Sequence, residues 1–260
     1  SAWSTSGFDV TWVAPTVGAG AAVTGYTLYE RVTYEMADVG SSGGVPEDVL
    51  QTMLSEDTDT VVVDTVAYDG SSSTAVSTSL SGLSGGVSYD YVVAARSAAG
   101  EGERSTALSV STSPPAPGSL DSVSQTTSSI TLSWSAPVVT TGSAVTGYNV
   151  YIDDGSSGTP GSMPVSCGVA DALSTTCTAS GLTGGVSYSF EVSALSTTGE
   201  SDRSSVSAMS TAPAAVAGSM AFSSVTTTSM DLAWTAPSGA TPTGYIVYRD
   251  DGDSAAPSSV

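Results

Sequence analysis

Asp250, Asp251 and Asp253 crowd one short stretch of this 260-residue sequence, and Glu56, Asp57 and Asp59 crowd another, so hard oxygen ligands are the first chemistry it offers. Such carboxylates suit calcium, but neither group has the ligand spacing of an EF-hand loop, and the alternative is diffuse attraction of cations to an acidic surface. Paired carboxylates also hydrolyse glycosides when a cleft sets a sugar between them. These acids, like Asp153 and Asp154, fall in stretches that read as solvated turns and an inserted loop. Histidine and lysine are absent. That removes the usual general base, the Schiff-base nucleophile and the commonest transition-metal ligand. Neither catalysis nor a cofactor is expected, and Asp250, Asp251 and Asp253 remain as calcium candidates.

Cys167 and Cys177 are the only two cysteines. Their spacing suits neighbouring antiparallel strands joined by a short connection, and a metal site would need further thiolates or imidazoles. The pair reads as a disulfide, with two buried free thiols as the alternative, and a disulfide points to an oxidising, extracellular setting. Hydroxyl runs at Ser71, Ser72 and Ser73, at Thr126 and Thr127, and at Thr226, Thr227 and Thr228 are candidates for O-linked sugar. N-linked sugar is excluded, because Asn149 is followed by Val-Tyr. "STSPPAP", Ser111 to Pro117, resembles the proline-rich glycosylation sites of plant and algal wall proteins, which would make Pro114, Pro115 and Pro117 the modified positions. The alternative there is a stiff extended linker.

The formal charge of -20 comes from 25 acids against 5 bases, all of them arginines. A surface this negative repels phosphate backbones and anionic headgroups, which argues against nucleic-acid and membrane-surface partners. No apolar run is long enough to span a bilayer.

The elements that carry these residues repeat. "WVAPTVGAGAAVTGYTLY" from Trp12 to Tyr29, "WSAPVVTTGSAVTGYNVY" from Trp134 to Tyr151 and "WTAPSGATPTGYIVY" from Trp234 to Tyr248 are one phrase written again. Their interval of about one hundred residues fits stacked copies of a small β-sandwich. Ile130, Leu132 and Trp134 alternate with Thr131 and Ser133, as do Phe8, Val10, Trp12 and Met230, Leu232, Trp234 in the other copies. Each set predicts a half-buried strand ending in an inward tryptophan, stopped by the Ala-Pro that follows. A second strand carries Tyr148, Val150 and Ile152, and Asp153, Asp154 and Gly155 close it in a tight turn.

Downstream, "GLTGGVSYSFEVSAL" from Gly181 matches "GLSGGVSYDYVVAAR" from Gly82, and strict alternation in both predicts a long strand with one face in the core. The intervals Leu182 to Tyr188 and Leu83 to Tyr89 predict a tyrosine corner, in which the phenol bonds back to upstream backbone. The first copy also carries an insertion at about 30–66. Within it "PEDVLQTML", Pro46 to Leu54, reads as a short helix with Val49, Leu50, Met53 and Leu54 on one side, and Ser55 to Asp59 as an acidic loop. The apolar stripe either packs on its own sandwich or docks on a neighbour.

In the order of these motifs the chain resembles a tandem array of fibronectin type III domains. The resemblance implies an all-β fold of immunoglobulin-like antiparallel sandwiches, with core residues at Trp12, Trp134, Trp234, Leu83, Tyr89, Leu182 and Tyr188. It divides the chain into 1–113, a repeat lacking its first strand, 114–212, a complete repeat, and 213–260, the N-terminal part of a third. The incomplete ends read as a window on a longer array, or as edges that neighbours complete. No Arg-Gly-Asp occurs, so the integrin-binding motif of some family members does not carry over. The expected role is structural: an extracellular or cell-surface fibre, stalk or adhesin segment whose partners are neighbouring modules, further copies and covalent glycans. The alternative is a set of accessory modules in a larger secreted enzyme or receptor.

Overall fold

In a computed structural model of the chain, the described residues are 6–16, 20–35, 45–56, 60–156, 158–161, 174–237, 242–249 and 258–259. The chain divides into two compact units: Ser1–Ala116 with Pro137–Thr146 and Ala194–Asp202, and Pro117–Ala136 with Gly147–Ser193 and Arg203–Val260. The first contains β1 (Gly7–Thr11), β2 (Val23–Glu35), helix α1 (Glu47–Glu56), β3 (Thr60–Gly70), β4 (Ser77–Ser81), β5 (Ser88–Ser97), β6 (Gly100–Arg104) and β7 (Leu108–Ser111). Strand β1 pairs with β4, and a five-stranded sheet runs β3, β2, β5, β6 with β7 also on β5.

The same plan recurs in β8 (Gly118–Gln125), β9 (Ser129–Ser135), β10 (Val145–Ile152), β11 (Thr176–Ser180), β12 (Ser187–Ser196), β13 (Gly199–Glu200) and β14 (Ser207–Ser210). One sheet is β11, β9, β8; the other is β10, β12, β13 with β14 on β12. Four further strands, β15 (Ala217–Ser223), β16 (Asp231–Thr235), β17 (Tyr248–Arg249) and β18 (Ser258–Ser259), form two antiparallel pairs.

The period-two pattern sets which residues go inside. Phe8, Val10, Leu28, Tyr91 and Val110 make one buried cluster, against which Trp12, Tyr68, Leu80, Leu83 and Tyr89 pack. In the second copy Ile130, Leu132 and Trp134 on β9 are buried, as are Tyr148 and Val150 on β10 and Tyr188, Phe190 and Val192 on β12. The tryptophan marks the strand end in the same way twice: Trp12 N donates to Val76 O and Trp134 N to Thr175 O, each at 3.0 Å. The Ala-Pro that follows ends the ladder because proline has no N–H to continue it.

Gly82 and Gly181 begin the corner phrases with φ of 76° and 78°, and a Cβ at either would meet no neighbour. Their requirement is therefore conformational rather than steric, since side-chain-bearing residues avoid this left-handed region.

The insertion has more regular structure than its sequence suggests. Strands β2 and β3 run on together as a long hairpin, from Tyr26 opposite Gly70 out to Glu35 opposite Thr60. Helix α1 begins at Glu47 and extends to Glu56, so Ser55 and Glu56 are helical rather than part of an acidic loop. Glu47 and Asp48 in its first turn complement the positive end of the helix dipole. Val49 and Met53, four residues apart on one face, are buried, and the helix packs against β3. The side chains of Leu50 and Leu54 lie outside the described residues.

Burial at Phe190 and exposure at Phe222 make an internal pair. Phe190→Ala should cost about 3–5 kcal/mol and shift a urea transition to lower denaturant, whereas Phe222→Ala should stay within about 0.5 kcal/mol. Equal shifts in fluorescence-monitored unfolding would contradict this assignment of the core.

Candidate functional site

The candidates read from the sequence are scattered. Asp250, Asp251, Asp253, Asp57, Asp59 and Cys167 lie outside the described residues. Among the described residues, no group of three His, Cys, Asp or Glu side chains could hold a metal ion. Asp153 departs from its expectation as a solvated turn acid. It is buried, and its Oδ1 accepts from Gly155 N at 3.2 Å and Ser189 N at 2.9 Å, tying the turn to β12. Cys177 is buried on β11 opposite Leu132.

The aromatic positions pair in a repeated geometry. Ring centroids of Trp134 and Tyr148 are 5.2 Å apart, those of Trp12 and Tyr26 5.5 Å, and those of Trp234 and Tyr245 5.3 Å. The phenol of Tyr89 accepts from Ser84 N at 2.8 Å, and that of Tyr188 from Thr183 N at 2.9 Å. Leu83 N donates to Ser6 O and Leu182 N to Ser128 O, each at 3.0 Å, so each corner is pinned from both sides.

The hydroxyl candidates separate by exposure. Ser71, Ser72, Thr126, Thr127, Thr226, Thr227 and Thr228 are exposed and Ser73 is half-buried. Pro114 and Pro117 are buried and Pro115 is half-buried, which leaves these rings little room for a bulky sugar. Thr112 and Ser113 are fully buried as well. Thr112 Oγ1 donates to Ser84 O at 2.8 Å, and Ser113 Oγ donates to Thr198 O at 3.3 Å. The proline stretch is a packed connector.

A charged lattice on the five-stranded sheet was not foreseen. Arg31 donates from Nε to Asp64 Oδ1 at 2.8 Å and from Nη2 to Oδ2 at 2.7 Å, and Arg104 also bonds Asp64. Arg96 pairs with Glu101 at 2.8 Å, and Tyr29 Oη donates to the same carboxylate at 2.7 Å. The Arg104 guanidinium lies 4.1 Å from the centre of the Tyr29 ring. At the equivalent place in the second copy, the Arg203 guanidinium lies 3.5 Å from the Tyr151 ring centre and pairs with Glu191 at 3.1 Å. Tyr29 and Tyr151 are therefore buried on the sheet face away from the core, under arginine rather than under a second sheet. The repeated Tyr at the end of "GYTLY" and "GYNVY" and the arginine after the long strand were the available signals. The Asp64 side chain is only 5% exposed, and Arg31, then Arg104, hold its carboxyl below the usual carboxylate range against the opposing effect of burial.

The family model for the fibronectin type III domain matches residues 1–111 and 115–210. The chain is 40% identical over 131 residues to chitinase A1 of Niallia circulans, covering 46% of the chain and 17% of that protein. It is 31% identical over 217 residues to exoglucanase B of Cellulomonas fimi, covering 74% of the chain and 19% of that protein. The chain thus spans less than a fifth of either relative. A solved two-domain fibronectin type III segment of chicken tenascin aligns over 81% of the chain and 95% of its own length, at 19% identity and a TM-score of 0.38.

A depressed carboxyl stabilises the fold above its unfolded value, and the benefit is lost as pH falls through the folded one. Asp64→Asn should therefore destabilise the chain at neutral pH by about 1–2 kcal/mol, toward the low end for a charged bond because both arginines are partly solvated. The difference between the two proteins should close as pH drops below the ordinary aspartate value of 3.8. Urea midpoints measured from pH 7 to pH 3 would show it, and a constant gap would contradict it.

Proposed function

The chain belongs to the fibronectin type III family, and from that premise we propose that it is a run of non-catalytic spacer modules in an extracellular protein, accompanying a domain that acts on polysaccharide. The carrying observation is the similarity to two proteins named chitinase and exoglucanase, confined to less than a fifth of each. The histidine- and lysine-free composition supports a region without its own chemistry.

The second reading is a segment of a fibre, stalk or adhesin, favoured by the repetition itself. In either setting a Cys167–Cys177 bridge staples the second repeat, and the exposed Ser and Thr runs are the places for O-linked sugar. Two measurements test the reading. Incubation with insoluble chitin and cellulose should give neither sugar release nor catalysis-dependent binding, and sedimentation should give monomers across concentration. Release of soluble sugar would overturn the spacer reading, and filaments in electron micrographs would move the assignment to a fibre. Intact mass of the secreted chain should lie two hydrogens below the reduced form, and a mass matching two free thiols would remove the bridge.

A further inference from the structure

The sheet face that carries the arginine lattice also carries groups the lattice does not use. Arg31 stands opposite Asp64, Tyr29 opposite Val66 and Thr33 opposite Val62 on the paired strands β2 and β3, so these residues share one face. Arg96 on β5 and Arg104 on β6 join them through ion pairs with Glu101 and Asp64. Three of the chain's five arginines thus gather in one place. Asp64, Asp90, Glu101 and Glu103 lie among them, which brings the face close to neutral in a chain of charge -20.

A cavity of about 410 Å³ opens here, lined by Arg31, Glu101, Gly102, Glu103, Arg104 and Ser105. Its walls offer donors and acceptors together. Arg31 meets Asp64 through Nε and Nη2, and a guanidinium has more N–H groups than those two bonds use. Glu101 and Glu103 supply carboxylate acceptors. Beside this polar hollow Val66 and Val62 are 59% and 53% exposed. From β3 to β6 the sheet crosses three strand spacings, about 14 Å. An anion would meet the carboxylates and the field of an acidic chain, a cation would meet the guanidinium groups, and a wholly apolar ligand would strip water from both. A neutral sugar chain escapes all three penalties, because its hydroxyls both donate and accept and its C–H faces suit the valines.

We propose that this face of the five-stranded sheet binds a neutral, hydroxyl-rich glycan chain. Its hydroxyls are shared between the guanidinium groups of Arg31 and Arg104 and the carboxylates of Glu101 and Glu103, and its C–H faces lie on Val66 and Val62. The choice of glycan rests on the polysaccharide setting proposed above, and the site adds a hold on that polymer to modules that otherwise act as spacers. Charge-assisted bonds from a guanidinium to a hydroxyl are the stronger kind, and Arg104 is held in place for them by Asp64 and the Tyr29 ring. The second copy carries the buried Asp153 where the first carries Arg31, so the second guanidinium of the site belongs to the first copy.

Affinity electrophoresis of the full chain through gels containing hydroxyethyl cellulose, glycol chitin or alginate tests the site, each run read against mobility in a gel without polymer. Retardation by either neutral polymer supports the proposal and tells a glucan from a chitin-type ligand, while alginate, a polyanion, should not retard the chain. Glu103→Ala and Val66→Asp, both at exposed positions, should leave the urea midpoint unchanged and each weaken retention at least about threefold. The proposal fails if neither neutral polymer retards the chain, if alginate retards it as strongly, or if both variants are retained like the unaltered chain. Sugar release from the polymers would overturn the spacer reading alone, so the two failures are told apart.

Discussion

A sheet keeps its inward aromatic face dry only while another sheet lies over it, and the other features of this chain follow from whether that cover is present. Where it is present, tryptophan, tyrosine and aliphatic side chains of β1, β2 and β5, or of β9, β10 and β12, are buried. The tyrosine corners then hold the turn that brings the covering strand back. Each phenol accepts a backbone N–H that would otherwise lose its partner beside the core. Among the described residues of 217–249 the same residue types are more exposed, and β16 and β17 are short.

Scarce basic residues are used for a second purpose. With five arginines and no lysine in a chain of charge -20, cations are the limiting resource, and four of the five sit beside a carboxylate on a sheet. Two of them, Arg104 and Arg203, also lie over tyrosine rings. The planar guanidinium suits both contacts at once, which a lysine ammonium would not. Arg104 and Arg203 cover the sheet face away from the core, at equivalent places in the two copies.

In the first two copies the tryptophan-ended strands and the long alternating strands were legible because each depends on local period and on glycine or proline at a fixed place, whereas Met230 and Leu232, read as inward by the same period, are exposed. The tandem fibronectin type III architecture followed from their order. Contacts made across distant residues were not legible. Tyr29 meets Glu101 and Arg31 meets Asp64 at separations no periodic pattern reveals. Asp153 looked like one more turn acid, and its bond to Ser189 N depends on the return of β12 beside it. Pro114 and Pro117 read as glycosylation positions or a stiff extended linker, and they are buried along with Thr112 and Ser113. Of the candidate functional residues, composition made the lack of a usual general base plain, while exposure and partners came only with the fold.

Hydrogen–deuterium exchange of the intact chain, read peptide by peptide, tests most directly whether cover by a second sheet governs this structure. Amides of β9 and β12 should exchange slowest, while those of β16, equivalent to β9 in sequence pattern, should exchange at least about a hundredfold faster because Leu232 is 39% exposed where Leu132 is buried. Protection of β16 equal to that of β9 in the isolated chain would contradict the account.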